Sequence, residues 1–247
     1  MHKCKSLLAV LIIGWSTALS ACSNGSNSGC QENLHRAAQL IKQESFGADL
    51  DRQERTTFRK RMAGILEGCE TSDAVYEIPN MGDLDLNHMY VITNDLEVLE
   101  ERLNISRLDP EHYTSGRDPL LHWASLWADA ATVKYLISIG FDPEGGEDLE
   151  GDPPLFHAAS HIYDDPSIIV TLIDAGADPE MRGRADGNLL ATALISDNSR
   201  IAIALIEYGL CPEEEAIGGQ SGIELALEYG LEDVVSKMKR RASEVCK

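Results

Sequence analysis

A nine-residue phrase, Leu-Ile-x-x-Gly-x-x-Pro-Glu, occupies residues 136–144 and returns at 172–180 and 205–213. A fainter copy, Asp109-Pro110-Glu111, precedes them. The prolines fall at 110, 143, 179 and 212, which gives spacings of 33, 36 and 33 residues. Repetition at about 33 residues marks a solenoid, in which each unit is too small to bury its own apolar face and must stack on its neighbours. The expected architecture is therefore a solenoid of stacked repeats.

The local chemistry agrees with that period. Gly140, Gly176 and Gly209 end the second helix of their units, where the left-handed conformation suits a residue without Cβ. The proline that follows stops the helix and turns the chain into a loop. Leu136, Ile137, Leu172, Ile173, Leu205 and Ile206 supply the apolar layer between units. One unit is longer than its neighbours around Tyr163-Asp164-Asp165-Pro166, with Asp165 as N-cap and Pro166 at N1.

The unit openings carry a second pattern: Asp118-Pro119-Leu120-Leu121-His122-Trp123-Ala124, then Gly151-Asp152-Pro153-Pro154-Leu155-Phe156-His157-Ala158-Ala159. Later units open at Gly187-Asn188-Leu189-Leu190 and at Gly222-Ile223-Glu224-Leu225-Ala226. These residues resemble the ankyrin-repeat family over residues 85–247, which implies an all-α solenoid of helix-turn-helix units with projecting hairpin loops. Arg107 stands where the first unit would close on Gly, as suits an N-terminal cap. The last unit lacks the Gly-x-x-Pro closure and ends in Lys237, Lys239, Arg240 and Arg241, as suits a C-terminal cap.

The resemblance implies a protein-binding surface made of hairpin tips and the exposed side of each first helix. The position three residues after the aligned alanines holds Trp127, His161, Ser196 and Tyr229, and in that family it commonly faces the partner. Trp and Tyr are typical hot-spot anchors, although Trp127 can equally pack against its own unit. Glu144, Glu147, Asp148, Arg182, Arg184 and Glu213 would form a charged rim.

The first residues read as an export signal: Lys3 and Lys5, then an apolar run over residues 7–14, too short to span a membrane comfortably. Leu19-Ser20-Ala21-Cys22 resembles the lipobox of bacterial lipoproteins, which implies cleavage before Cys22 and lipidation of that residue. Ser23 in place of an Asp points to the periplasmic face of the outer membrane. Residues 1–21 are thus expected to be removed and 22–29, rich in Ser, Asn and Gly, to form a flexible tether. Residues 30–70 are expected as a helical hairpin and 71–84 as a linker.

Four further cysteines suit an oxidising compartment but allow three pairings. Cys30 precedes the first expected helix and Cys69 follows the second, so an antiparallel hairpin brings them together. Cys211 follows the helix of one late unit and Cys246 ends the helix of the next, which makes them the second expected pair, although adjacent units stand farther apart than a disulfide easily spans. Arg55, Arg59, Lys60 and Arg61 are the densest basic cluster, expected as a solvated helix face.

The formal charge of −20 for 247 residues argues against nucleic acid and allows a basic protein partner. Removing residues 1–21 takes away two lysines and no acids, leaving −22. No phosphate loop, His-Glu-x-x-His or Gly-x-Ser-x-Gly occurs. His157 and His161 have a zinc-compatible spacing without an obvious third ligand. The acidic stretch over residues 142–152 lacks calcium-loop spacing. The expected function is therefore binding without catalysis, cofactor or metal. Its concrete form is an immunity or inhibitor protein against a toxic envelope-acting effector such as a phospholipase. An envelope stress or assembly scaffold and a metal-dependent enzyme are the alternatives.

Overall fold

The structure, a computed structural model, describes residues 25–44, 52–69, 76–78, 82–84, 86–106, 120–145, 152–183 and 186–246. Among the described residues two helices come first, α1 (Gly25–Glu44) and α2 (Arg52–Leu66). Strands β1 (Tyr76–Ile78) and β2 (Gly82–Leu84) pair antiparallel. Helix pairs follow: α3 (Leu86–Thr93) with α4 (Leu96–Ser106), α5 (Leu120–Trp127) with α6 (Ala130–Ser138), and α7 (Pro154–Ala159) with α8 (Pro166–Asp174). Then come α9 (Leu189–Ile195) with α10 (Ser199–Tyr208), the two-stranded β3 (Glu215–Ile217) and β4 (Gln220–Ser221), and α11 (Gly222–Glu228) with α12 (Glu232–Val245). Among the described residues, five helix pairs stack as a solenoid behind a helical hairpin.

Two boundaries differ from expectation. Helix α1 begins at Gly25, inside the stretch read as a tether, and residues read as a linker form the β1–β2 hairpin. Gly, Ser and Asn have low helix propensity, but propagating an existing helix costs far less than nucleating one. Upstream growth from the Cys30 region therefore outweighs local preference.

The repeated glycines end their helices as the phrase requires. Gly140, Gly176 and Gly209 have φ of 109°, 112° and 131°. At each, two hydrogen bonds close the helix in a Schellman motif: Phe141 N to Leu136 O with Gly140 N to Ile137 O, and the equivalents at 177/172 with 176/173 and at 210/205 with 209/206. The N-termini are capped with equal care. The Asp165 carboxylate accepts from Ser167 N at 3.0 Å, with Pro166 at N1, and Asn188 accepts from Ala191 N at 2.9 Å. Ser221 and Glu224 form a capping box.

Leu136, Leu172 and Leu205 are fully buried between units, within one continuous core that also takes in Phe58, Met62 and Leu66 of α2. Polar side chains tie successive turns together. His122 Nε2 lies 3.0 Å from the carbonyl of Asp152, so that nitrogen must carry the proton. Asn198 donates to the carbonyls of Ala159 and His161, and the Asp164 carboxylate accepts from Arg200 N and Ile201 N. The disulfides are Cys30–Cys69 and Cys211–Cys246, with Cα separations of 5.2 and 4.8 Å.

Candidate protein-docking face

The repeat register puts Trp127, His161, Ser196 and Tyr229 at one position in successive units, and the structure divides them into two pairs. Trp127 and His161 are each 1% exposed, whereas Ser196 is exposed and Tyr229 is 48% exposed. The cause is α2, which lies across the turns of the first units.

The path of α2 can be followed residue by residue. Its last turn meets the first unit, where the Tyr90 hydroxyl donates to Leu66 O at 2.9 Å. In its middle, the Phe58 ring lies 6.1 Å from that of Trp127. Arg59 donates to both oxygens of Asp129, at 3.1 and 2.9 Å, and reaches the Trp127 carbonyl at 3.4 Å. Farther towards its N-terminus, the Arg55 guanidinium lies 4.7 Å from the centroid of Tyr163, and that of Arg59 lies 5.4 Å away. Cations over an aromatic face are attracted by its quadrupole, more strongly when the pair is sheltered from water.

Trp127 is therefore an internal anchor and not a partner contact. Its C-terminal neighbour Asp129, N-cap of α6, is held from two sides. Arg59 binds it from α2, and Asn94 binds it from the preceding turn through its amide nitrogen. The Asn94 side-chain oxygen accepts from Asp129 N and from the Thr132 hydroxyl, both at 2.9 Å.

His161 is also structural. Its Nε2 lies 3.0 Å from Ala128 O, while Nδ1 accepts from Tyr163 N and Asp165 N at 3.3 and 3.4 Å. A carbonyl can only accept and a backbone N–H can only donate, so the ring is neutral with its proton on Nε2. Burial depresses its pKa to about 4. His157 does not join it as a metal ligand; its ring packs instead against that of His122, with centroids 5.1 Å apart. Among the described residues no group of three or more His, Cys, Asp and Glu side chains converges on a point.

Ser196 donates to the Ser160 hydroxyl at 3.1 Å. Beside it Ile195 is 47% exposed, and across the next unit Leu227 and Tyr229 are 52% and 48% exposed. Of the rim, Glu144 accepts from Asp178 N, and Arg182 donates to the backbone oxygens of Glu215 and Asp186. Both therefore brace neighbouring loops while remaining exposed, and Glu213 is exposed as well. Glu147, Asp148, Arg184 and Cys22 lie outside the described residues.

The role of Arg55 and Arg59 escapes a reading that takes them as a solvated face. A signal was present: Arg55, then Phe58 and Arg59, then Met62 and Leu66 are separated by steps of three or four residues, which puts them on one stripe of α2.

No family model matches the chain. Over 143 residues it is 29% identical to the palmitoyltransferase AKR1 of Kluyveromyces lactis, a match covering 53% of this chain and 18% of that protein. The chain thus spans less than a fifth of that relative's length. The crystal structure of the human ASB11 ankyrin repeat domain superposes with a TM-score of 0.55 and 20% identity, over 64% of this chain and 69% of that one. The fold is an ankyrin-repeat solenoid. Its period, its glycine-closed helices and its inter-turn hydrogen bonds agree with that assignment.

Proposed function

We propose that this chain is a protein-binding module, lipid-anchored at the periplasmic face of the outer membrane. There it occupies and neutralises a toxic envelope-acting effector such as a phospholipase, with no chemistry of its own. The observation that carries the reading is the uncovered half of the solenoid face. Ile195 and Tyr229 stand exposed there on rigid, internally braced units, which is the arrangement of a preorganised interface. The charge of −20 favours a basic partner by steering its approach. Two disulfides suit an oxidising compartment, and Leu19-Ser20-Ala21-Cys22 supplies the anchor site. Cysteine lipidation with several acyl chains gives firm attachment, since each buried CH₂ contributes about 0.8 kcal/mol. The relative's palmitoyltransferase activity lends no support, because the match covers so little of that protein.

The test is affinity capture from detergent-solubilised envelopes, comparing wild type with Tyr229→Ala, alongside fractionation of Cys22→Ser. The expected result is one dominant captured protein, whose toxicity the purified chain suppresses, and release of Cys22→Ser into the soluble fraction. Capture without suppression of any toxic activity would remove the immunity role. Unchanged membrane association of Cys22→Ser would remove the anchor.

A further inference from the structure

The chain already displays the kind of ligand its solenoid face accepts, because α2 is one. This helix presents an aromatic ring to Trp127 and guanidinium groups to Asp129 and Tyr163. Between Arg52 and Leu66 it carries Arg52, Arg55, Arg59, Lys60 and Arg61 against the single acid Glu54. Its contacts advance from Tyr90 in the first unit through Trp127 and Asp129 in the second to Tyr163 in the third.

Among the described residues, the same face beyond Tyr163 is exposed at Ile195, Leu227 and Tyr229. Tyr229 occupies in the last unit the position that Trp127 occupies in the second, and Ile195 stands beside the intervening Ser196. Exposed carboxylates lie close to these residues in sequence: Asp197 next to Ser196, Glu228 next to Tyr229, and Glu232 and Asp233 at the start of α12. Glu228 accepts one hydrogen bond from Gln220, and Arg200 is the cation closest in sequence to Asp197. The first three units thus meet a basic amphipathic helix. In the last two, where Asn198 and Leu231 stand in register with Asp129, the acids lie at other positions and, among the described residues, the apolar side chains Ile195, Leu227 and Tyr229 remain exposed.

We propose that the turn-side face of the last two units, centred on Ile195 and Tyr229, docks a basic amphipathic helix of a protein partner. That helix seats an apolar side chain against Tyr229 and directs Arg or Lys side chains to Asp197, Glu232 and Asp233, as α2 does at Trp127 and Asp129. The proposal rests on the protein-binding reading above and adds the chemistry of the partner and the place where it binds.

The test uses the folded chain and a fluorescently labelled synthetic peptide with the sequence of residues 52–66, followed by anisotropy at low salt. The peptide is expected to bind, to weaken as ionic strength rises, and to lose about tenfold or more in affinity with Ile195→Ala plus Tyr229→Ala. Asp129→Asn, at the site α2 already fills, is expected to leave binding unchanged. Binding insensitive to the 195/229 pair, binding lost in Asp129→Asn (exchange with the chain's own α2), or no binding would each overturn the proposal. The broader reading fails separately. A partner captured equally by wild type and the 195/229 variant would leave a binding module whose docking face lies elsewhere.

Discussion

Acidification should loosen this fold through His161, and the size of the effect follows from the ring's surroundings. In the native state the ring is buried and neutral, with Nδ1 accepting from Tyr163 N and Asp165 N. Protonating it would place a charge where water is excluded and would abolish both of those bonds. Burial therefore lowers the pKa from 6.5 to about 4, against the smaller raising effects of the Ala128 carbonyl, Asp165 and Asp129, while Arg59 lowers it further. The unfolded chain takes up a proton near pH 6.5 and the folded chain does so only near 4. Stability is therefore fully present above pH 6.5 and falls as the pH drops towards 4. One pKa unit corresponds to 1.36 kcal/mol, so the full loss is roughly 3 kcal/mol, and about 2 kcal/mol is lost between pH 7.5 and 5.0.

Other groups nearby titrate as well. Burial raises the pKa of Asp164, and hydrogen bonds from Ser167 outweigh burial to lower that of Asp165. The comparison that isolates the ring is urea unfolding of wild type and His161→Gln at pH 7.5, 6.5, 5.5 and 5.0. The variant is expected to be less stable at pH 7.5 because it loses packing and the Nδ1 acceptor. It should nevertheless show a shallower decline, so that the two curves converge as the pH falls. Parallel curves would refute the argument, because the buried neutral ring would then contribute nothing to the pH dependence.

Three further outcomes follow from the contacts of α2 and the disulfides. Trp127→Ala should cost about 3–5 kcal/mol in denaturant unfolding, whereas Tyr229→Ala should stay within about 0.5 kcal/mol of wild type. A double-mutant cycle with Arg59→Ala and Asp129→Ala should give a coupling of about 0.5–1 kcal/mol, modest because the Asp129 side chain is 46% exposed and screened by solvent. Replacing Cys30 and Cys69 by Ala frees a closure of 39 residues and should cost about 2–4 kcal/mol, read as a drop in the midpoint of thermal unfolding.

The repeat architecture was legible because its determinants are local and recurrent. Glycine at C′ followed by proline has one good conformation, and three copies at a fixed period give one arrangement. The N-cap at Asp165 and the Cys30–Cys69 pair were legible for a similar reason, a short-range rule in one case and the ends of a hairpin in the other. Unit spacing argued against Cys211–Cys246, whose Cα atoms the structure brings to 4.8 Å. The docking face was only half legible. Register aligns Trp127 with Tyr229 correctly, but register says nothing about what covers each, and burial of Trp127 depends on a helix about 70 residues upstream in sequence. The charge pattern of α2 was visible while its destination was not, since Arg59 and Asp129 are 70 positions apart. His161 misled for a related reason. The longer turn around Tyr163 folds back so that its own backbone N–H groups fill Nδ1, and no periodicity reports that.

The length of α2 accounts for where the covered half of the face ends. Fifteen residues at 1.5 Å each make a helix of about 22 Å. Packed helices lie about 8–10 Å apart, so a helix of that length laid across the stack covers about two intervals, which is three units. The observed contacts with Tyr90, Trp127 and Tyr163 fall in three successive units, in agreement with that reach. The fourth and fifth units lie beyond it, and the side chains there differ accordingly. Trp127 is a large apolar group buried beneath α2, and among the described residues its indole nitrogen has no hydrogen-bond partner, so its place there rests on packing. At the equivalent free position stands Tyr229, whose hydroxyl can be solvated and whose ring can still be buried by a partner. The sequence at this one position thus changes where the internal cover runs out, from a residue that needs burial to one that tolerates water until burial is supplied.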